Sequence, residues 1–201
     1  MQPSSAHQLP GPRLLTAARG KFGVRGFTAI ELMVTVAILA VLMALAAPSF
    51  TPLIERWRVR QAVEGLQSTL YYARSEAIKR GGNVIVRKLP NNTNGCTTAG
   101  NANSWDCGWQ VLSCTSITGS STCNGSAVLQ RFDAPAKVHV TRHSGGQNIV
   151  LNRWGLVAGT YVGFNLVPLD QSTSHPAARG LCMSSGGRIR VIPSEEIPCS
   201  S

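Results

Sequence analysis

Catalytic machinery is what this sequence most plainly lacks. Only nine of its 201 residues are Asp or Glu; Asp133 and Asp170 stand alone, and Glu31 lies inside an apolar run. No nucleophile motif and no phosphate-binding loop is present. There is no C-x-x-C pair, which removes the usual zinc spacing. His139 and His143 form the one close histidine pair. Their surroundings alternate like a strand, so four steps hold them about 13 Å apart, too far to share a metal. These absences argue against an enzyme and against a metal or other cofactor. Aromatic residues make up 6% of the chain and form no recognisable stacking platform. Trp57 and Trp154 read as core, Trp105 and Trp109 as packing for a nearby cysteine loop, and His175 as a loop residue. No internal repeat is found.

Cysteine is absent from the first 95 residues. All six, Cys96, Cys107, Cys114, Cys123, Cys182 and Cys199, come later, which suits an oxidising compartment beyond a membrane. Six cysteines allow 15 pairings; neighbours in sequence are the favoured one, Cys96–Cys107, Cys114–Cys123 and Cys182–Cys199. The formal net charge is +10. Residues 1–26 carry Arg13, Arg19, Lys21 and Arg25 and no acid, so +6 remains for the rest. That excess favours anionic partners without identifying one. A charged fraction of only 14%, with plentiful Gly, Ser, Thr and Asn, suits a β-rich body with many turns.

The chain is organised around Gly26-Phe27-Thr28-Ala29-Ile30-Glu31 and the apolar run that follows. Residues 32–47 are all apolar except Thr35. About 20 such residues cross a bilayer as a helix, and Pro48 would end or kink it. A carboxylate in hydrocarbon costs at least ~2.5 kcal/mol, so Glu31 is a functional-site hypothesis by default. The basic leader places the N-terminus in the cytoplasm and the remainder across the membrane. An ordinary signal peptide cut near Ala44-Leu45-Ala46, releasing a secreted β-domain, is the competing reading. Glu31, the length of the run and the helical periodicity beyond Pro48 oppose it.

That periodicity extends over residues 49–80, with Phe50, Leu53, Ile54, Trp57, Val63, Leu66, Leu70, Ala73 and Ala77 as one stripe. Charged residues including Arg74 and Glu76 fill the remaining surface, and Gly81-Gly82 closes the helix. Period-two patterning then predicts strands at residues 83–89, 109–112, 128–132, 138–142, 149–151, 161–166 and 187–192, with polar, Cys-bearing loops at 90–107 and 113–126. The expected fold is α+β: a long N-terminal helix, membrane-spanning in its first half and amphipathic in its second, packed on an antiparallel β-sandwich-like domain. The domain divisions are a leader at 1–26, an assembly helix at 27–48, its amphipathic continuation at 49–81 and a β-domain at 82–201.

Gly26 followed by Phe-Thr-x-x-Glu and an apolar helix resembles the class III signal of type IV prepilins. The remainder is similar to the FimT/GspH family of minor pseudopilins, through Leu70-Tyr71-Tyr72-Ala73-Arg74-Ser75-Glu76-Ala77-Ile78-Lys79-Arg80-Gly81, Cys107-Gly108-Trp109, Asn152-Arg153-Trp154-Gly155 and Gly187-Arg188-Ile189-Arg190. The leader is longer than in many such prepilins. The resemblance implies cleavage after Gly26 by a prepilin peptidase, methylation of the Phe27 amine, and assembly with other major and minor pilins or pseudopilins from the inner membrane into a type IV pilus or type II secretion fibre. It also implies that Glu31 pairs with the amino group of a Phe27 at a subunit contact. A Gly-Arg-x-Arg tail is implicated in DNA uptake for some FimT-like proteins. Arg188 and Arg190 would share one strand face about 6.6 Å apart, each able to hold a phosphate. Arg179, Lys137, Arg142 and Arg153 would extend the patch, and Glu195 and Glu196 would weaken it.

Overall fold

The computed structural model describes residues 26–119, 121–143, 146–159 and 161–200, without the side chains of residues 46–49. The basic leader through Arg25 lies outside the described residues. The chain divides into two compact units, Met1–Leu45 and Ala46–Ser201.

Helix α1, Ala29–Arg80, has 52 residues and includes Pro48 within its bounds. The described side chains of the first unit are exposed throughout, from Phe27 at 82%, just ahead of the helix, to Leu45 at 73%. Among the described residues no single helix is long and apolar enough to cross a membrane; Ala29–Leu45 and Phe50–Arg80 pass that test together.

In the second unit α1 buries a stripe of Val59, Ala62, Val63, Leu66, Leu70, Ala73 and Ala77, the three- and four-residue spacing of one helix face. The expected stripe began too early. Phe50, Leu53, Ile54 and Trp57 are exposed, Trp57 at 58%, because the β-body touches these turns only at their polar side, where Glu55 meets His175 at 3.6 Å, and packs closely from Val59 onward. Thr69 and Glu76 are buried on the covered side. Glu76 meets Arg80 at 2.7 Å and Lys79 at 3.6 Å, and the hydrogen bond from Arg80 holds its carboxyl below the ordinary 4.5. Gly82 N–H closes the helix on Ala77 O at 2.7 Å.

Among the described residues ten strands follow: β1 Val84–Lys88, β2 Gly108–Ser113, β3 Ser116–Thr118, β4 Thr122–Asn124, β5 Ala127–Asp133, β6 Val138–Arg142, β7 Asn148–Leu151, β8 Tyr161–Pro168, β9 Arg179–Ser184 and β10 Ile189–Pro193. They form two four-stranded sheets, ordered β5-β2-β1-β7 and β10-β9-β8-β6, plus the hairpin β3-β4. All pairings are antiparallel. Both sheets and the helix stripe share one core, with Val84, Val86 and Val111 from the first sheet and Phe164, Leu166, Leu181 and Met183 from the second. The architecture is therefore the expected one: a long N-terminal helix on an antiparallel β-domain.

Trp105 and Trp109 are fully buried in this core rather than laid over a disulfide. Trp105 meets Phe164 edge-on at 5.0 Å, and Trp109 stacks on Phe132 at 4.6 Å. Trp109 Nε1 donates to Thr69 Oγ1 at 3.0 Å. Gly65 makes room for this group, since a Cβ there would lie 2.3 Å from the Phe132 ring. Trp154 is not core: it stands 69% exposed on a turn. Two elements escaped the sequence pattern. The β3-β4 hairpin is short, polar and closed at its base by Cys114–Cys123. Strand β9 contains Gly180 and is buried on both faces, so it shows no alternation.

Disulfides join Cys96 to Cys107, Cys114 to Cys123, and Cys182 to Cys199, with Cα separations of 5.4, 5.3 and 5.7 Å. The third carries the C-terminal tail over the outer face of the second sheet, where Ile192, Ile197 and Tyr161 pack around it.

Candidate functional site

The first site is the start of α1. Thr28 is its N-cap, with its carbonyl accepting from Leu32 N–H at 3.1 Å. Glu31 N–H donates to Thr28 Oγ1 at 3.3 Å, while Glu31 Oε2 accepts from Thr28 N–H at 3.2 Å and from Thr28 Oγ1 at 3.3 Å. This is a capping box, a Thr-x-x-Glu reciprocal cap. It gives Glu31 a task within its own chain, and Thr28 is a partner that reading the run for hydropathy alone overlooks, although the spacing advertises it. Glu31 Oε1 takes no hydrogen bond among the described residues, so the carboxylate keeps one oxygen for a further donor. Gly26 and Phe27 precede the helix in exposed, irregular backbone, where the peptide bond between them is open to solvent.

The second site is the Arg188–Arg190 segment. Strand pairing opposes Arg190 to Cys182 and Ile189 to Met183. Ile189 and Met183 belong to the core, so Arg190 faces outward, and Arg188, just ahead of β10, opens onto the same side. Both arginines are exposed. They line one pocket of about 320 Å³ together with Tyr161, Ser184, Ser185 and Ser200. Arg190 Nη2 donates to Ser200 O at 3.3 Å, and Arg188 N–H donates to Ser184 Oγ at 3.2 Å. Two cations and three serine hydroxyls in one open concavity form a donor-rich lining suited to an oxyanion.

Arg74 governs the approach to this segment. Its Nε donates to Gly155 O at 3.1 Å and its Nη1 donates to Gly187 O. One guanidinium thereby ties two loops to the helix. Gly155 is presented by a turn in which Asn152 Oδ1 accepts from Trp154 N–H at 2.9 Å and Leu156 N–H at 3.0 Å. Gly187 has φ +81°, and a Cβ there would lie 2.6 Å from Arg74 Nη2. The helix motif around Arg74, Asn152-Arg153-Trp154-Gly155 and Gly187-Arg188-Ile189-Arg190 thus meet at one side chain. Arg74 is half-buried, not part of the free surface expected from the helical wheel.

Arg153 lies in the turn that Arg74 joins to Gly187, whereas three of the four basic residues expected near Arg188 lie elsewhere. Arg179 pairs with Pro193, three steps from Cys182 and on the opposite, helix-facing side of the sheet. Its Nη1 donates to Pro176 O at 3.0 Å and Ala178 O at 2.6 Å. Glu195 takes its Coulombic help from Arg179, after its own backbone and the Ser194 hydroxyl, and is held below the usual carboxylate range. Arg142 is buried, with Nη1 on Gly146 O at 2.9 Å and Asn148 O at 2.6 Å. Its guanidinium lies 5.9 Å from the Trp105 ring, and burial pushes its pKa down to about 10. Lys137 lines a separate pocket with Glu55 and Asp170.

Buried polar residues missed from the sequence hold the first disulfide loop. Lys88 Nζ donates to Ala99 O at 2.8 Å and to Asn101 O, and burial lowers its pKa. Asp106 accepts from Val140 N–H at 2.6 Å and sits 2.9 Å from His139 Nδ1. Among the described residues no three His, Cys, Asp or Glu side chains are grouped to hold a metal ion.

Comparison with known proteins adds the following. The family model described as "Type II transport protein GspH" matches residues 62–187, and that of the prokaryotic N-terminal methylation motif matches residues 21–47. Two fimbrial proteins of Pseudomonas aeruginosa are each 38% identical to the chain over 69 residues, covering 34% of this chain and 44% of theirs. The chain thus spans less than half the length of these curated relatives. Crystal structures of the P. aeruginosa type IV minor pilin FimU superpose with TM-scores of 0.53 and 0.50 at 22% identity. They cover 73% and 70% of this chain and 96% and 98% of FimU. At that identity the likeness is one of fold.

Proposed function

The chain belongs to the GspH family and carries the methylation motif of type IV pilin-like subunits, and from that premise we propose that it is a minor pseudopilin, made as a prepilin in the bacterial inner membrane. A prepilin peptidase cuts after Gly26 and methylates Phe27. Residues 27–48 anchor the subunit and later enter the fibre core, residues 49–81 continue the helix, and residues 82–201 form a periplasmic β-domain stapled by three disulfides. Its role is structural, with other major and minor subunits as partners, in a type IV pilus or a type II secretion pseudopilus.

The observation that carries this reading is the exposed apolar helix ending in a half-satisfied carboxylate. A run with Phe27, Leu32, Met33 and Leu45 all more than half exposed requires bilayer or protein around it. Glu31, with one oxygen free, requires a cation in that apolar setting. The amine released at Phe27 is such a cation, and a fibre supplies it from a neighbouring subunit. Mass spectrometry of the chain recovered from membranes tests the processing step. A mature N-terminus at methylated Phe27 is expected, whereas a start at Ala47 would identify a secreted domain instead.

One observation favours an added role in DNA uptake: Arg188 and Arg190 line a single pocket on one sheet face. Phosphate contacts of that kind give affinity that falls steeply with salt and little sequence preference. In gel shifts at rising salt, Arg188→Ala with Arg190→Ala is expected to weaken duplex binding and to flatten the salt dependence by about two units of slope. Unchanged affinity in the double variant would remove the DNA role and leave the assembly role intact.

A further inference from the structure

Before Val59 the large apolar side chains of α1 stay open to solvent, although Glu55 in the same turns meets His175 of the β-body at 3.6 Å. Phe50, Leu53, Ile54 and Trp57 stand at i, i+3, i+4 and i+7, one helix face, and all four are exposed. Beside them lies a concavity of about 350 Å³ lined by Leu53, Arg56, Trp57, Arg60, Ala177 and Arg179. None of these three arginines is paired with a carboxylate among the described residues. Glu195 offsets Arg179, so Arg56 and Arg60 carry the net positive charge.

We propose that this face, Phe50, Leu53, Ile54 and Trp57 flanked by Arg56 and Arg60, docks the β-domain on the anionic headgroups of the bilayer that anchors the subunit before assembly. The inference rests on the reading of residues 27–48 as that anchor. Three features select a lipid surface. The apolar face follows the apolar run directly in sequence, so the chain itself keeps it close to the anchor. Arg56 follows Ala47 by nine residues, about 13 Å of helix. The headgroup layer is about 5–7 Å thick, so a long guanidinium side chain at Arg56 reaches the phosphates, and Arg60, one turn further on, adds attraction within about a Debye length of the surface. Finally, a tryptophan beside arginines on one amphipathic turn is the composition of a helix lying at a membrane–water interface.

The test places the full-length chain in nanodiscs of phosphatidylcholine, with or without phosphatidylglycerol, and follows backbone amide exchange. Exchange at residues 53–60 is expected to slow about tenfold or more when phosphatidylglycerol is present, since each arginine at an anionic surface contributes on the order of fivefold. Salt at about 0.5 M should erase the difference, and so should Arg56→Gln with Arg60→Gln, two exposed positions whose loss leaves the core untouched. Equal exchange in the two lipids overturns the proposal, as does a double variant that behaves like wild type. So does a DNA duplex that slows residues 53–60 in phosphatidylcholine discs as much as phosphatidylglycerol does, since that identifies a nucleic-acid surface. Residues 32–45 report the anchor separately. If they stay protected in both lipids while residues 53–60 ignore lipid charge, the docking fails and the anchor stands; if they are unprotected, both fall.

Discussion

Replacing Glu31 by glutamine is expected to leave the helix start intact and to remove the subunit from fibres. Glutamine can take over the cap, because its amide oxygen accepts from Thr28 N–H as the carboxylate does. It cannot neutralise an ammonium. In the Glu31→Gln variant the amine of a neighbouring Phe27 would enter an apolar fibre core unpaired, at a cost of about 3 kcal/mol or more, over a hundredfold in the assembly equilibrium. The matching variant, Thr28→Ala, inverts the test. It deletes the hydroxyl that bonds Glu31 N–H and Oε2 but keeps the charge, so it costs about 1 kcal/mol of capping and reduces incorporation by several-fold at most. The measurement is the ratio of the chain in sheared fibres to that left in membranes. If the glutamine variant assembled normally and Thr28→Ala did not, Glu31 would be a helix cap alone.

How far the sequence can be read depends on which physics each residue obeys. Period-two alternation located β1, β2, β6–β8 and β10, each with buried apolar residues, and β5 through Val128, Leu129 and Phe132, although none of its residues is buried. It failed at β9, whose two faces are both buried, and at β3-β4, where each strand is three residues long with a single inward side chain, Ile117 or Cys123, and a covalent link closes the pair. The helix stripe was legible where the β-body covers it and misread before Val59, since periodicity reports that a face is apolar and not what lies against it. Arg188 and Arg190 line one pocket, a proximity that their spacing of two residues makes legible because it is local. The position of Arg179 was not legible: its distance from Arg188 in sequence says nothing about sheet side until the β9–β10 register is known. Long-range polar contacts such as Arg74 to Gly155 and Gly187 leave no periodic trace at all.

Arg74→Ala is the second substitution expected to have a large effect, and it acts at a distance. It leaves Gly155 O and Gly187 O without the donor that joins them. Hydrogen bonds from a charged donor are worth about 1.5–3 kcal/mol each, and Arg74 is half-buried, so about 3 kcal/mol is a fair total. In a domain of this size that lowers Tm by about 6–12 °C. Arg74→Lys should recover less than half of the loss, because an ammonium lacks the planar fork that meets two carbonyls at once. Gly187→Ala attacks the same joint from the other side, through a Cβ 2.6 Å from Nη2 and a backbone at φ +81°. Combined with Arg74→Ala it should cost less than the sum of the two, since the clash disappears with the guanidinium and only the backbone strain of about 1 kcal/mol stays. Thermal melts of the four proteins measure this coupling. Strict additivity would mean that Arg74 does not hold the Gly187 loop, and that Arg188 and Arg190 owe their shared position to the β9–β10 pairing alone.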